Sequence, residues 1–210
     1  MTNSPQHGDQ QCPQCGFRYQ CVCHLWPSID SSLSIVLISH PNELARSTNT
    51  GKLLQHSLAN CRTFIWDRKQ PDSELLACLH ESPKIPLVLF PSDDSIELDR
   101  VISKHSQTDI YDKYLFVILD STWQEAAKMM RKSPWLNKLA KVHLSSTQLS
   151  KYSLRRNQQP GHLCTCEVGI ELLSLFQDDQ NANTLCDFFQ HYLSVFKADK
   201  SGHRYLPPTK

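Results

Sequence analysis

Short apolar runs alternate along the chain with segments whose apolar residues recur at helical spacing. The runs predict strands at 33–40, 62–66, 85–90, 114–119 and 141–146. Helical spacing predicts helices at 51–61, 72–82, 97–106, 166–176 and 185–196. Strands that are apolar along nearly their whole length and that alternate with helices are typical of an α/β fold with a mostly parallel sheet.

A further helix follows the strand at 114–119, and the sequence marks both of its ends. Thr122 and Glu125 form the T-x-x-E pattern of a capping box, which predicts the amino-terminal end. Pro134 predicts the carboxy-terminal end, because proline cannot continue a helix. The i, i+3, i+4, i+7 spacing predicts one apolar face formed by Trp123, Ala126, Ala127 and Met130.

Asp120 stands between this strand and this helix, and two roles are open to it. In open α/β sheets, ligands bind beyond the carboxyl ends of the strands, where Asp120 is expected to lie. A carboxylate at that place also stabilises the start of a helix, an effect of about 0.5–2 kcal/mol. Because Thr122 already supplies a cap, the pattern alone leaves a catalytic and a structural role for Asp120 at even weight.

Four of the nine cysteines lie within twelve residues of one another, in the segment CPQCGFRYQCVCHLW. Cys12 and Cys15 form C-x-x-C, and Cys21 and Cys23 form C-x-C five residues later. Four thiolates at this spacing predict a tetrahedral zinc site, with His24 as an alternative ligand. A redox C-x-x-C has no neighbouring βαβ pattern to support it, and incidental thiols are the remaining interpretation.

The composition indicates a globular protein that is neither secreted nor embedded in a membrane. Hydrophobic residues make up 40% of the 210 residues and charged residues 20%. No apolar run approaches the ~18–20 residues of a membrane helix. The start MTNSPQHGDQQ has neither a basic segment nor an apolar stretch, so we expect no secretory signal, no membrane contact and a cytoplasmic location.

The formal net charge of +1 conceals a segregation of charge along the chain. Between Ala126 and Cys166 there is no Asp or Glu, whereas eight Lys and Arg residues give this segment a charge of +8 and leave −7 for the remainder. Such a segment next to Asp120 favours an anionic partner, although lysines and arginines paired with acids from other segments would give the same pattern.

Several segments, which follow one another along the chain in the family's order, resemble the DTW-domain family. The central one is LDSTWQEAAKMMRKSPWL at 119–136, with D-x-T-W at the turn from strand to helix. The others are SHPNELARSTNTGKLL at 39–54, LFPSDD at 89–94 and YSLRRNQQPGHLCTCEVG at 152–169. With the amino-terminal cysteines they cover nearly all of residues 12–175.

This resemblance implies a fold, an activity and a partner. The fold is SPOUT-like, with a carboxy-terminal trefoil knot. The activity is transfer of the 3-amino-3-carboxypropyl group of S-adenosylmethionine to N3 of a tRNA uridine, with release of methylthioadenosine. The alternatives are an RNA methyltransferase of the SPOUT type and a zinc-containing RNA-binding module without catalysis. Either a monomer or a homodimer is compatible with the resemblance.

The resemblance also assigns roles to residues. Asp120 is the expected proton acceptor, within a catalytic motif that includes Thr122 and Trp123. The expected cofactor-binding residues are Leu89, Phe90, Pro91, Leu119, Ser121, Leu154, Leu163 and Thr165, and for Thr165 a cap on the helix 166–176 is an equal alternative. The residues expected to contact tRNA phosphates are Arg131, Lys132, Arg155 and Arg156.

The expected organisation of the chain has four parts. Residues 1–11 are predicted to be disordered, and residues 12–27 form the cysteine-rich zinc module. Residues 28–200 form the catalytic domain, which is followed by a flexible tail at 201–210.

Overall fold

A computed structural model describes residues 11–145 and 163–207, with the side chain of Gln107 excepted. Within them, six strands form one parallel sheet: β1 Ile35–Ser39, β2 Cys61–Ile65, β3 Ile85–Leu89, β4 Ile96–Glu97, β5 Tyr114–Asp120 and β6 Ala140–His143. Their order across the sheet is β2-β1-β5-β3-β6-β4. The prediction of an α/β fold with a parallel sheet is confirmed.

Helices connect these strands and follow the last one. They are α1 Pro41–Leu44, α2 Gly51–Ser57, α3 Ser73–His80, α4 Leu98–Ile102, α5 Gln107–Lys113, α6 Trp123–Lys132, α7 Pro134–Asn137, α8 Thr165–Leu175 and α9 Asp179–Lys200. A short 3₁₀ turn at Cys23–Leu25 precedes the first strand. In the described part of the chain no helix is both long and apolar enough to cross a bilayer.

Each longer element predicted from the hydrophobic pattern is present, with some different ends. The helix predicted at 97–106 is shorter, because it stops at Ile102 and Ser106 caps α5 with a capping box to Asp109. The helix predicted at 185–196 begins six residues earlier, at Asp179, in a polar first turn that lacks apolar spacing. The elements α1, β4, α5 and α7 are missing from the prediction, since they are short or polar.

The sheet has a layer of helices on each face. Alternate residues of β5 point to opposite faces, as the pleat requires. Phe116 and Ile118 join a core shared with α2, α8 and α9, whereas Leu115, Val117 and Leu119 join a second core shared with α3 and α6. Every residue of β5 is buried, so this central strand rigidly positions the residues at its carboxyl end.

The carboxyl end of β5 lies between the carboxyl ends of β1 and β3. Asp120 is paired in register with Ser39 of β1, and Ile118 is paired with Leu89 of β3. The strand therefore ends at Asp120, one residue later than the predicted end at 119. Because the connections from β1, β3 and β5 all leave the sheet at this edge, their first residues converge around Asp120.

The cysteine segment packs against the helices of the main core. The Phe17 ring lies 4.9 Å from the Tyr192 ring and 6.1 Å from the Phe196 ring, both on α9. The backbone amides of Arg18 and Tyr19 donate to Asp199 Oδ1 at 2.7 and 2.9 Å. The segment thus shares its apolar core with the sheet domain, and the four-part organisation given above remains a prediction.

Candidate functional site

The Asp120 carboxylate is buried, with 2% of the residue exposed, and three neutral groups donate to it. Oδ2 accepts hydrogen bonds from Ser39 Oγ and Asn49 Nδ2, both at 2.9 Å, and Oδ1 accepts one from Thr165 Oγ1 at 2.8 Å. A carboxylate offers about four acceptor positions, and the described donors fill two on Oδ2 and one on Oδ1. The position that remains is on Oδ1.

Asn49 is itself fixed by its neighbours. Its amide also donates to the Glu43 carbonyl at 3.2 Å, and its Oδ1 accepts from the Lys52 amide at 3.1 Å. Gly51 allows the carboxylate to approach this closely, because a Cβ there would lie 2.6 Å from Asp120 Cγ. The segment from β1 to α2 therefore holds the carboxylate in one position.

A charged cluster ties that segment to α6. Arg46 donates to both oxygens of Glu125, at 2.8 and 2.9 Å, and also to Glu43, which is fully buried. The hydrogen bonds from Arg46 hold the pKa of Glu125 far below its ordinary value, and those to the two acids raise the pKa of Arg46. The cluster fixes α6 relative to the three donors that surround Asp120, namely Ser39, Asn49 and Thr165, which together form the cradle of this carboxylate.

The capping box predicted at the start of α6 is confirmed. Thr122 Oγ1 accepts from the Glu125 amide at 3.3 Å, and Glu125 Oε2 accepts from the Thr122 amide at 3.0 Å. Glu125 thus serves both the cap and the pair with Arg46. Asp120 has no part in this cap, so the structure does not support the alternative in which Asp120 is the N-cap of α6.

The predicted apolar face of α6 is partly wrong. The buried residues of this helix are Ala126, Met129 and Met130, whereas Trp123 and Ala127 are only half-buried. The Trp123 ring lies 6.4 Å from the Phe90 ring, and both residues line a small cavity. The simple assignment of Trp123 to the core is therefore incorrect.

That cavity, of about 50 Å³, brings together most of the residues expected to bind the cofactor. Its lining includes Leu89, Phe90, Leu119, Ser121, Leu163 and Thr165, together with Trp123 and Val168. Pro91 follows Phe90 but is not part of the lining, and Leu154 is outside the described residues. The walls are largely apolar, and the first turn of α8 closes one side.

Thr165 does not cap α8, which corrects one of the two alternatives for it. The N-cap is Cys164, whose amide donates to Glu167 Oε2 at 2.9 Å. Thr165 is the first residue of the helix and donates to Asp120 instead. A residue expected near the cofactor thereby also holds the candidate catalytic carboxylate.

A second and larger cleft, of about 370 Å³, includes Asp120 in its lining. Its walls come from the cysteine segment, from the stretch between β1 and α2, and from the end of α9. The lining includes Ser39 and Asn49, which the sequence analysis did not assign to the site. Both residues lie in the segment 39–54, which resembles the family, but that resemblance alone assigns no role to either of them.

The four cysteines predicted to bind zinc come together. Their sulfur atoms all lie within 4.8 Å of one another, and Cys12 Sγ lies 3.6 Å from Cys23 Sγ and 3.7 Å from Cys21 Sγ. Tetrahedral zinc with bonds of about 2.3 Å separates its sulfur ligands by about 3.8 Å, so the set fits this ion. His24 is not a member of the group.

The turn in the first pair of cysteines follows from its sequence. Gly16 adopts a φ of +80°, which favours glycine, and its amide donates to the Cys12 carbonyl at 2.8 Å. Burial opposes ionisation of Cys12, but hydrogen bonds from the backbone of Cys15 and Gln14 and from nearby thiols bring its pKa to about 6. Cys12 is thus the member that favours the thiolate, the form that binds zinc, whereas burial raises the pKa of Cys15 to about 11 and also raises the pKa of Cys23.

Comparison with known proteins decides the family. A model of the DTW domain matches residues 9–197. The chain belongs to the DTW-domain family. The tRNA-uridine aminocarboxypropyltransferase 2 of Drosophila melanogaster is 31% identical over 163 residues, which cover 75% of this chain and 62% of that relative. The chain thus matches less than two thirds of the relative's length. No solved structure matches the chain significantly.

In this DTW domain, the three residues of D-x-T-W have separate structural settings. Asp120 is held in the cradle, Thr122 is part of the cap, and Trp123 faces the small cavity. Of the basic residues expected to contact RNA, Arg131 and Lys132 are exposed in the last turn of α6. Arg155 and Arg156 lie outside the described residues.

Proposed function

We propose that this DTW domain transfers the 3-amino-3-carboxypropyl group of S-adenosylmethionine to N3 of a uridine in tRNA, releasing methylthioadenosine. Membership of the family and the similarity to an enzyme named tRNA-uridine aminocarboxypropyltransferase 2 support the proposal. The observation that carries it is the Asp120 carboxylate, which lines a polar cleft and is held by three donors, one of which lines an apolar cavity.

The small cavity suits part of S-adenosylmethionine. Phe90, Leu119 and Trp123 offer apolar surface to the adenine ring and the S-methyl group, and the amino terminus of α8 favours a negatively charged group such as the carboxylate. The volume of about 50 Å³ is below the ~300 Å³ that a whole ligand of this size requires, so the described residues form one part of the site.

Asp120 is the proposed proton acceptor. Uridine N3 carries a proton and becomes nucleophilic when that proton moves to the Asp120 carboxylate, on which the described donors leave one acceptor position open. As the proton leaves, a bond forms from N3 to the γ carbon of the methionyl group, the CH₂ carbon of the aminocarboxypropyl chain that is bonded to sulfur. The bond from that carbon to sulfur breaks, and sulfur keeps the electron pair, which gives neutral methylthioadenosine.

Ser39, Asn49 and Thr165 are the proposed positioning residues. They donate to Asp120 and keep it oriented, so little reorganisation is needed at the moment of transfer. S-adenosylmethionine supplies an electrophilic carbon next to a positively charged sulfur. The choice of that carbon over the methyl group follows from which one is aimed at N3.

The proposed function also assigns roles to the basic residues and to the four clustered cysteines. Arg131, Lys132, Arg155 and Arg156 contact tRNA phosphates, and Cys12, Cys15, Cys21 and Cys23 hold zinc, which stabilises the segment that carries them. The domain is of the SPOUT type with a carboxy-terminal trefoil knot. It works in the cytoplasm, where thiols stay reduced, and all nine cysteines are free.

Product analysis tests this function. Purified protein is incubated with S-adenosylmethionine and unmodified tRNA, and both the small-molecule product and the nucleosides are identified by mass spectrometry. We expect methylthioadenosine and aminocarboxypropyl uridine in equal amounts. S-adenosylhomocysteine with a methylated nucleoside would establish the methyltransferase alternative, and tRNA binding without either product would establish the non-catalytic module.

A further inference from the structure

The 370 Å³ cleft and the small cavity are lined by different donors of the Asp120 carboxylate. Thr165, which donates to Oδ1, lines the small cavity, whereas Ser39 and Asn49, which donate to Oδ2, line the larger cleft. Asp120 itself is part of the lining of the larger cleft. A group bound in that cleft would thus reach the carboxylate directly, whereas Asp120 is not part of the lining of the small cavity.

The two spaces differ in chemistry. The small cavity is surrounded mainly by apolar side chains, whereas the lining of the larger cleft includes Gln14 of the cysteine segment and Gln55 of α2. Both glutamines are exposed, and amides can donate to the two carbonyl oxygens of uracil. Lys200 stands at the end of α9 in the same lining and offers a positive charge to a phosphate.

We infer that the larger cleft is the acceptor subsite, which receives the target uridine as a single unstacked nucleotide. This inference rests on the proposed function. A volume of about 370 Å³ lies in the range of ~300–1,000 Å³ that small-molecule sites occupy, and it suits one nucleotide rather than a base pair. Sequence-specific RNA recognition commonly targets such unpaired bases.

The cysteine segment then contributes directly to RNA binding, because Gln14, Cys15 and Gly16 line the cleft. Two contacts fix this wall against the rest of the domain. Lys52 Nζ on α2 donates to the Cys15 carbonyl at 3.1 Å, and Asp199 at the end of α9 accepts from two amides of the segment. These contacts hold the segment that carries the four cysteines in place as one wall of the cleft.

A bulky residue in the cleft tests the inference. Gln55→Trp places an indole on the α2 wall, and Gln180→Trp is the matched control. Gln180 is also an exposed glutamine of a helix, but it lies in the first turn of α9, far along the helix from Lys200. For both variants we would measure the melting temperature, the affinity for S-adenosylmethionine, the affinity for unmodified tRNA and the release of methylthioadenosine.

We expect Gln55→Trp to weaken tRNA binding by about tenfold, which is the scale of losing one stacked base, with unchanged affinity for S-adenosylmethionine. Turnover at low tRNA should fall at least as much, and Gln180→Trp should behave as the wild type. The inference is overturned if Gln55→Trp binds tRNA normally, or if it loses S-adenosylmethionine affinity in parallel. If the wild type releases no methylthioadenosine, the proposed function fails, and the tRNA affinities still decide whether the cleft receives RNA.

Discussion

Replacing Thr165 with valine removes one of the three hydrogen bonds to Asp120 and little else. Valine keeps the size and the branched Cβ of threonine, so the first turn of α8 should persist. The N-cap of that helix is Cys164, which the substitution leaves in place. The change therefore isolates the 2.8 Å contact from Thr165 Oγ1 to Asp120 Oδ1.

The burial of Thr165 and Asp120 indicates how much stability and activity Thr165→Val should lose. Thr165 and Asp120 are 6% and 2% exposed, so water replaces the lost donor poorly. A hydrogen bond to a charged group contributes about 1.5–3 kcal/mol to the free energy of unfolding. For a domain of this size, each kcal/mol lowers the melting temperature by roughly 2–4 °C, which gives a decrease of about 3–12 °C. A looser carboxylate should also lower kcat by at least about tenfold, which corresponds to ~1.4 kcal/mol.

Thermal unfolding and methylthioadenosine release measure the two effects. Thr184→Val is the matched control, because Thr184 Oγ1 donates to the Gln180 carbonyl at 2.8 Å on an exposed part of α9, and it should cost less than about 0.5 kcal/mol. Thr165→Ser should restore most of the lost turnover. If Thr165→Val melts and turns over like the wild type, the hydrogen bond does not hold Asp120; if only the stability falls, Thr165 is structural and not a positioning residue.

Three further predictions concern the parts around the cradle. Glu125→Gln should lower the free energy of unfolding at pH 7. Because the pKa of Glu125 is depressed in the folded protein, the difference in this free energy from the wild type should shrink as the pH falls from about 4.5 towards 2. A difference that stays constant with pH in urea titrations would contradict this. Cys12→Ser should abolish an equivalent of bound zinc and lower the melting temperature, and zinc retained in full would exclude Cys12 as a ligand. Arg131→Ala and Lys132→Ala should each reduce the salt dependence of tRNA binding by about one unit of slope without changing affinity for S-adenosylmethionine, whereas unchanged slopes would remove these residues from the RNA surface.

The pattern of apolar residues predicted the sheet because buried parallel strands must be apolar on both faces. Every residue of β5 is buried, and its sequence YLFVIL carries that signal without ambiguity. Short and polar elements carry no such signal. α5 begins with a capping box at Ser106 and Asp109, yet its few apolar residues show no helical period.

The candidate site was partly accessible from the sequence. Asp120 and Thr165 were identified, but their hydrogen bond joins residues 45 positions apart, and no periodicity relates them. The same holds for Ser39 and Asn49, 81 and 71 positions from Asp120. Such contacts follow from the order of strands in the sheet, which places β1 beside β5 and brings both carboxyl ends to one edge.

The proton-accepting role of Asp120 is tested most directly by methylthioadenosine release from Asp120→Asn in the presence of unmodified tRNA. Asparagine keeps the size of the side chain but cannot take up the N3 proton. We predict an intact fold, normal affinity for S-adenosylmethionine and a loss of kcat of about 10²–10⁴-fold, the usual contribution of a general base. Turnover near that of the wild type in the folded variant would contradict it.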